Sequence, residues 1–268
     1  MKDSDKKELK KQFRLLQPLT FYDKKQGKTI YLNHQNSYKA ADKEIVFPLP
    51  NNITLCMNIS NREYDLAKRK YFSTIKKITT RKSKKVSVKD DEINDVFDYI
   101  ESVQVSLIFI YTAVEAFSNI AIPPDYEIER INHKKVKEIW GKENIERWKS
   151  TSEKIGDILP DIFKIENPKN EKFWSNFKKL EEIRNDIIHQ KTIKNNTDVY
   201  SEYFNYFFDH SIFEIIRSGF LVIQYFCLKS DESKIYFPLG IRTDSFDPIE
   251  VDDINDVIEH IYADEEDQ

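Results

Sequence analysis

The chain has 268 residues, of which 40% are hydrophobic and 33% charged, and its formal net charge is −4. This composition excludes a fully disordered or membrane-embedded protein, and the length fits one large domain or two small ones. The five glycines form no phosphate-binding loop, which argues against P-loop and dinucleotide-binding enzymes. Cys56 and Cys227 lie far apart in apolar stretches, so we predict reduced thiols, no metal site and no cofactor.

The first 60 residues are predicted to form an extension that carries a small β-hairpin or meander. Residues 5–16 have the pattern of a short helix. After them come three short runs rich in β-branched and aromatic residues, Thr29–Leu32, Glu44–Phe47 and Ile53–Met57, which predict strands. Such a small element is not stable alone, so we expect it to pack on the main domain.

Residues 61–230 predict a helical bundle, so the fold class is mainly α. The predicted helices span residues 62–79, 90–121, one or two within 132–148, a short helix from the Ser150–Glu153 capping box to Pro160, 171–190, and 198–229. Val103–Ile122 is the most apolar stretch, but it contains Gln104, Glu115 and Asn119. We therefore predict a buried core helix of a soluble, cytoplasmic protein that does not contact a membrane.

Charge is distributed unevenly along the chain. Residues 61–90 carry eleven Lys or Arg against three acidic residues, whereas residues 244–268 carry eleven acidic residues and no Lys or Arg. The basic run that contains Arg81, Lys82, Lys84 and Lys85 fits either a solvated loop or a contact to RNA phosphates. Residues 231–268 form an acidic C-terminal segment, and the acidic tail that ends it in Ala263–Gln268 is expected either to fray into solvent or to cover the basic segment and compete with nucleic acid.

One hexapeptide, Arg184–His189, concentrates ionisable groups at the end of an amphipathic helix. At 100° per residue, Asn185 and Asp186 share a face with His189, but Arg184 lies about 140° away from it. Arg184 must therefore reach around the helix, or the helix end must unwind, or a second copy of the chain must complete the site. The last alternative predicts a symmetric dimer.

These residue types suit the cleavage of a phosphodiester without a metal ion. Arginine binds a phosphate and its developing charge, and histidine transfers protons near neutral pH. RNA supplies its own nucleophile, the 2′-hydroxyl. The alternative is structural, since Arg and His at a helix C-terminus often only complement the helix dipole.

Arg184-Asn185, three residues and then His189 resembles the signature of HEPN domains, helical bundles of bacterial toxins, phage-defence proteins and RNA-processing factors. The segment Ser106–Asn119 resembles the earlier long helix of that family, which often carries a polar residue facing the signature. Ile145–Pro160, and Phe173-Trp174 ahead of Lys179-Leu180, are similar to one bacterial HEPN-like subgroup. The resemblance covers about residues 90–229.

The resemblance implies an antiparallel bundle that forms a homodimer with one composite ribonuclease cleft, leaving a 2′,3′-cyclic phosphate and a 5′-hydroxyl. By position, Arg184 would bind the scissile phosphate, His189 would transfer protons, Asn185 would position one of them, and Asp186 would assist. Some members carry a modified tyrosine two residues after the histidine. Here that position is Lys191, which argues against such regulation and adds a candidate RNA-binding cation.

Glu115 and Asn119 share one face of an apolar helix, where a buried carboxylate needs a partner. The partner is either any cation or amide of the bundle, or Arg184, which Glu115 would orient. The expected partners of the protein are RNA, a second copy, and an antitoxin or another defence-system protein. Two other functions stay open: a catalytically silent HEPN-like scaffold that binds RNA or a protein, and an interaction protein whose acidic tail binds a basic partner.

Overall fold

The structure is a computed structural model that describes residues 14, 19–131, 135–189, 199–229 and 249–258. For residues 189 and 199–203 it describes the backbone alone. The helix predicted over residues 5–16 lies outside the described residues except for Arg14, which sits in a turn. The chain divides into two compact units, residues 1–54 with 238–268, and residues 55–237.

The first unit is built from short strands. Its strands are β1 (Leu19–Asp23), β2 (Lys28–Leu32), β3 (Gln35–Ala40), β4 (Lys43–Pro48) and, far along the chain, β7 (Ile249–Val251). β1 pairs antiparallel with β2 and parallel with β7, while β3 and β4 form a separate hairpin. Gly27, at a φ of +61°, makes the left-handed turn between β1 and β2. The predicted N-terminal meander is confirmed.

The acidic C-terminal segment takes part in this unit. Lys24 pairs with Glu250 at 3.5 Å and with Asp252 at 3.4 Å, and Lys25 pairs with Asp253. The hydrogen bond and charge of Asp252 raise the pKa of Lys24 above its usual value. The expected fraying of the acidic tail is therefore wrong for residues 249–258, because β1 offers an edge for backbone pairing and adjacent lysines. Residues 259–268, the end of this tail, lie outside the described residues.

The predicted strand at Ile53–Met57 is wrong, because these residues open helix α1 (Asn52–Lys70). The Asn51 side-chain oxygen accepts hydrogen bonds from the backbone N–H groups of Ile53 at 3.0 Å and Thr54 at 3.3 Å. This N-cap outweighs the β propensity of the run. The helix continues through a π-turn (Tyr71–Ile75) into α2 (Lys76–Thr79), so the helix predicted over 62–79 begins ten residues earlier.

Three helices form the centre of the second unit: α3 (Ile93–Ile120), α7 (Trp174–His189) and α9 (Ile212–Lys229). Each packs against the other two. Their fully buried side chains include Leu107, Ile110, Val114, Phe117, Phe177, Leu180, Ile183, Ile216, Val222 and Phe226. The mainly α fold and the helices predicted over 90–121 and 171–190 are confirmed, each starting three residues later than predicted.

Among the described residues, α3 alone is long and apolar enough to cross a membrane. Half of its most apolar window is buried inside the chain, which is the arrangement expected of a core helix in a soluble protein.

Of the one or two helices predicted within 132–148, the structure has one. Among the described residues of this range, α4 (Lys142–Trp148) is helical, and β6 (Lys137–Gly141) pairs antiparallel with β5 (Glu127–Ile131). The guanidinium of Arg130 lies 4.5 Å from the centre of the Trp140 ring, across the hairpin. This cross-strand contact stabilises the strands despite their charged composition.

The capping box at Ser150 and Glu153 is confirmed, with both reciprocal hydrogen bonds present. The helix it opens does not end at Pro160, however. It runs through α5 (Thr151–Glu153) and a π-turn (Lys154–Ile158) into α6 (Leu159–Phe163). Pro160 lacks an N–H and so cannot donate to the Gly156 carbonyl oxygen four residues earlier. That oxygen instead accepts a hydrogen bond from the Asn167 side chain at 2.6 Å.

The single helix predicted over 198–229 is interrupted. α8 (Val199–Phe208) ends before Asp209, and α9 starts at Ile212. The Asp209 carboxylate accepts a hydrogen bond from the backbone N–H of Ser211 at 2.7 Å, and this bond lowers the pKa of Asp209. An aspartate so placed starts a new helix where the apolar periodicity alone predicts continuation.

Candidate functional site

Arg184, on the last part of α7, faces α3. Its Nη2 lies 3.4 Å from Glu115 Oε2, and its Nη1 donates to Asn185 Oδ1 at 3.1 Å. The guanidinium carbon lies 4.8 Å from the centre of the Tyr111 ring, within the range of a cation–π contact. A carboxylate, an amide and an aromatic face thus hold one guanidinium.

The buried face of α7 explains why the Arg184 side chain faces α3. Leu180 and Ile183 are fully buried, and Arg184 lies four residues after the first and next to the second. Its side chain is 21% exposed. Its Nε is buried and has no hydrogen-bond partner in the described part of the chain, so the guanidinium retains unused donor capacity.

The remaining residues of the signature are less defined. Asn185 is half-buried and Asp186 is exposed. α7 stays helical to His189. The side chain of His189 lies outside the described atoms, and Lys191 lies outside the described residues. The structure therefore brings together Arg184, Asn185 and Glu115, and leaves the position of the imidazole untested.

A second polar cluster lies one turn earlier on α7. Glu181 is 8% exposed, and its carboxylate accepts hydrogen bonds from the Tyr111 hydroxyl at 3.0 Å, from the Ser152 N–H at 3.3 Å and from Lys178. Burial alone would raise the pKa of Glu181, but the bonds from Lys178 and Ser152 outweigh it and lower the pKa. Tyr111 belongs to both clusters, since its ring contacts Arg184 and its hydroxyl contacts Glu181.

Lys154 is the residue that the sequence analysis missed. It is 2% exposed, and its Nζ donates to Asn119 Oδ1 at 2.5 Å and to the Glu146 carbonyl oxygen at 3.4 Å. Burial lowers its pKa, and the charges of Glu115 and Glu146 oppose that shift. Asn119, a supporting residue predicted on the same helix face as Glu115, therefore contacts a cation other than Arg184.

The sequence carried only an indirect signal for Lys154. It follows a capping box in a polar stretch, where a lysine normally faces solvent. The proline at 160 and the glycine at 156 mark an irregular helix, but nothing in their spacing states which side chain the π-turn directs inward.

In the basic loop after α2, Arg81 forms contacts within the chain and the lysines are exposed. Arg81 forms an ion pair with Glu92 and donates to the Ser87 carbonyl oxygen at 3.3 Å. The hydrogen bond from Arg81 lowers the pKa of Glu92. The predicted RNA-binding lysines Lys82, Lys84 and Lys85 are exposed, so they present their charge to solvent.

An open cleft of about 490 Å³ lies elsewhere in the second unit. Its lining residues, around the start of α4, are Pro124, Gly141, Lys142, Glu143, Asn144 and Glu146. Arg184 does not line this cleft.

Comparisons with protein-family models, with curated proteins and with solved structures found no match to this chain. The functional proposal below therefore depends on the residues themselves and on the resemblance of their pattern to HEPN domains.

Proposed function

We propose that the protein is a metal-independent endoribonuclease of HEPN type, with a HEPN-like antiparallel bundle and a role as a toxin or in anti-phage defence. The observation that carries the proposal is the Arg184–Glu115 pair. A carboxylate of α3 holds the arginine of the signature on α7, which is the relation that the resemblance implies between these two helices.

In the proposed reaction, the 2′-oxygen of RNA attacks the adjacent phosphorus and loses its proton to a base. The bond from phosphorus to the 5′-oxygen breaks, and that oxygen takes up a proton. The products are a 2′,3′-cyclic phosphate and a 5′-hydroxyl. Arg184 binds the non-bridging oxygens, His189 transfers a proton, Asn185 positions one of these two side chains, and Asp186 assists.

The direction of Arg184 supports a homodimer. Because α7 is a continuous helix to residue 189, its end does not unwind, and positions 184 and 189 stay about 140° apart around its axis. The guanidinium contacts Glu115 and Tyr111 on α3 rather than reaching around α7. A second copy that supplies the complementary group would complete the site.

The test is cleavage of single-stranded RNA in EDTA. The wild-type protein should cut, and His189→Ala should abolish cutting while the dimer persists, because the proton-transfer group is lost. His34→Ala is the matched control, since His34 is exposed in the first unit, and it should cut like wild type. A requirement for Mg²⁺, or cutting that survives the loss of His189, contradicts the proposal.

A catalytically silent scaffold is the second candidate, and one observation favours it. The guanidinium of Arg184 already has a carboxylate, an amide and a ring as partners, as a purely structural arginine would. Such a protein would bind RNA with a strong dependence on salt and leave the RNA intact.

A further inference from the structure

We propose that Lys154 is a positioning residue of the Arg184 site and acts through Glu115. This inference rests on the proposed ribonuclease function, because it assigns Lys154 a role in presenting Arg184 to the RNA phosphate. Lys154 itself does not contact the RNA.

Lys154 is unusual because lysine side chains are rarely this deeply buried. A charged side chain that is 2% exposed pays a large desolvation cost unless it has nearby partners. Among the described residues, its ammonium donates to Asn119 Oδ1 and to the Glu146 carbonyl oxygen, and both acceptors are neutral. Its charge is therefore balanced at longer range, by the carboxylates of Glu115 and Glu146.

Asn119 fixes the ammonium on the same face of α3 as Glu115. The two residues are four positions apart on one continuous helix, so they are neighbours on its surface. Glu115 in turn accepts from Arg184. Two cations from two different segments thus act on one carboxylate of α3.

The π-turn at 154–158 aims Lys154 inward. The Leu159 N–H bonds to the Lys154 carbonyl oxygen, and the extra residue per turn rotates the side chains relative to a regular helix. A Cβ on Gly156 would lie 2.4 Å from Lys169 Cε and 3.0 Å from the Trp174 ring, so this turn packs closely against the segment that begins α7. The irregular turn is therefore held by close packing against the residues before α7 and at its start.

The competing explanation is that Lys154 only fills space and satisfies Asn119 and Glu146. A double-mutant cycle distinguishes the two roles. The variants are Lys154→Met, Glu115→Gln and the double variant, and Lys142→Met is the matched control. Lys142 also donates to a carbonyl oxygen, that of Ile122, and also lies near Glu146.

Single-turnover cleavage of RNA is the first readout. We expect Lys154→Met to slow cleavage roughly tenfold to a hundredfold, the effect of a slightly misplaced group. The same substitution should cause no further loss in the Glu115→Gln background, and Lys142→Met should cleave like wild type. Independent losses from Lys154→Met and Glu115→Gln, which multiply in the double variant, overturn the proposal.

The second readout does not need RNA cleavage. The NMR signal of the Arg184 Nε–H should shift or broaden in Lys154→Met and in Glu115→Gln, and stay in place in Lys142→Met. If Lys154→Met does not fold, Asn119→Ala removes the side-chain acceptor of Lys154, keeps the lysine, and should shift the same signal. An unchanged Arg184 signal overturns the role of Lys154. Absence of cleavage by the wild-type protein overturns the ribonuclease proposal instead, and the NMR signal then still tests whether Lys154 positions Arg184.

Discussion

The ring of Tyr111 and its hydroxyl serve different partners, and a substitution can separate them. The ring contacts the Arg184 guanidinium, and the hydroxyl donates to Glu181. Tyr111→Phe keeps the ring and removes one donor from a buried carboxylate, so the free energy of unfolding should fall by about 1–3 kcal/mol. Urea denaturation measures it.

Tyr126→Phe is the control for this prediction. The Tyr126 hydroxyl donates to Asp161 at 3.2 Å, but the Asp161 side chain is 62% exposed, so water can replace the lost bond. Equal losses of stability in the two variants would show that the Glu181 cluster does not depend on the Tyr111 hydroxyl.

Lys154 predicts a dependence of stability on alkaline pH. Its pKa in the fold lies below the ordinary value of 10.5, because burial disfavours the charged form. Between the two pKa values the unfolded chain binds more protons at this residue, so its contribution to the free energy of unfolding rises with pH. The stability of wild type relative to Lys154→Met should therefore increase as pH rises from neutral toward 10.5.

Urea denaturation of both proteins over this range measures the difference. The other titratable groups are common to the two chains, so they largely cancel. If the difference in stability stays constant or decreases with pH, burial does not lower the pKa of Lys154 in the folded protein.

At the scale of elements, Gly219 sets how closely three helices approach. A Cβ at this position would lie 2.5 Å from Ile110 Cγ1 on α3 and 3.1 Å from Leu180 Cδ2 on α7. Alanine is the better helix former by about 1 kcal/mol, but overpacking costs about 1–3 kcal/mol. Because two fully buried neighbours must move, we expect Gly219→Ala to lower the melting temperature.

Gly141→Ala is the matched control, because a Cβ there meets nothing within 4 Å among the described atoms and the φ of −77° suits alanine. Its melting temperature should match that of wild type. A stabilised Gly219→Ala variant would contradict the close packing of α3, α7 and α9.

Elements with a long apolar period were predictable from the sequence, and short or irregular ones were not. Phe177, Leu180 and Ile183 mark α7 because one buried face repeats with the helical period. The run at Ile53–Met57 has strand composition, yet the Asn51 cap makes it helical. The β5–β6 hairpin escaped prediction because its residues are charged and its stability comes from cross-strand contacts such as Arg130–Trp140.

The candidate site divides in the same way. An acid in an apolar helix predicted that Glu115 has a partner, because a half-buried carboxylate needs a cation. Arg184 was one of the two alternatives left open by the sequence, and the structure pairs these two residues. Lys154 was not predictable, since its inward direction depends on the π-turn and on the Asn167 side chain that satisfies the Gly156 carbonyl oxygen. These are contacts between distant segments that leave no periodic trace in the sequence.

At the scale of the molecule, Asp23 links β1 to residues 249–258, far along the chain, within the first unit. It is fully buried, and its carboxylate accepts from the Gln26 N–H at 2.7 Å, the Gln26 side chain at 3.0 Å and the Ile254 N–H at 3.0 Å. Asp23→Ala should therefore loosen residues 249–258, and hydrogen exchange followed by mass spectrometry should show lost protection there.

Lys24→Ala is the control for that measurement. The ion pairs of Lys24 are exposed and contribute little to stability, so protection of residues 249–258 should persist. The α3, α7 and α9 peptides should be unaffected in both variants. Unchanged protection of residues 249–258 in Asp23→Ala would show that the backbone pairing of β1 and β7 holds the acidic segment without the carboxylate.

The chemical form of the RNA ends tests the ribonuclease most directly. Wild-type protein is incubated in EDTA with a single-stranded RNA and with the same sequence carrying 2′-O-methyl groups, and the products are identified by mass spectrometry. The RNA should yield 2′,3′-cyclic phosphate and 5′-hydroxyl ends, Arg184→Ala should yield none, and the methylated strand should stay intact. An intact RNA, or products with 5′-phosphate ends, would contradict attack by the 2′-hydroxyl at the Arg184 site.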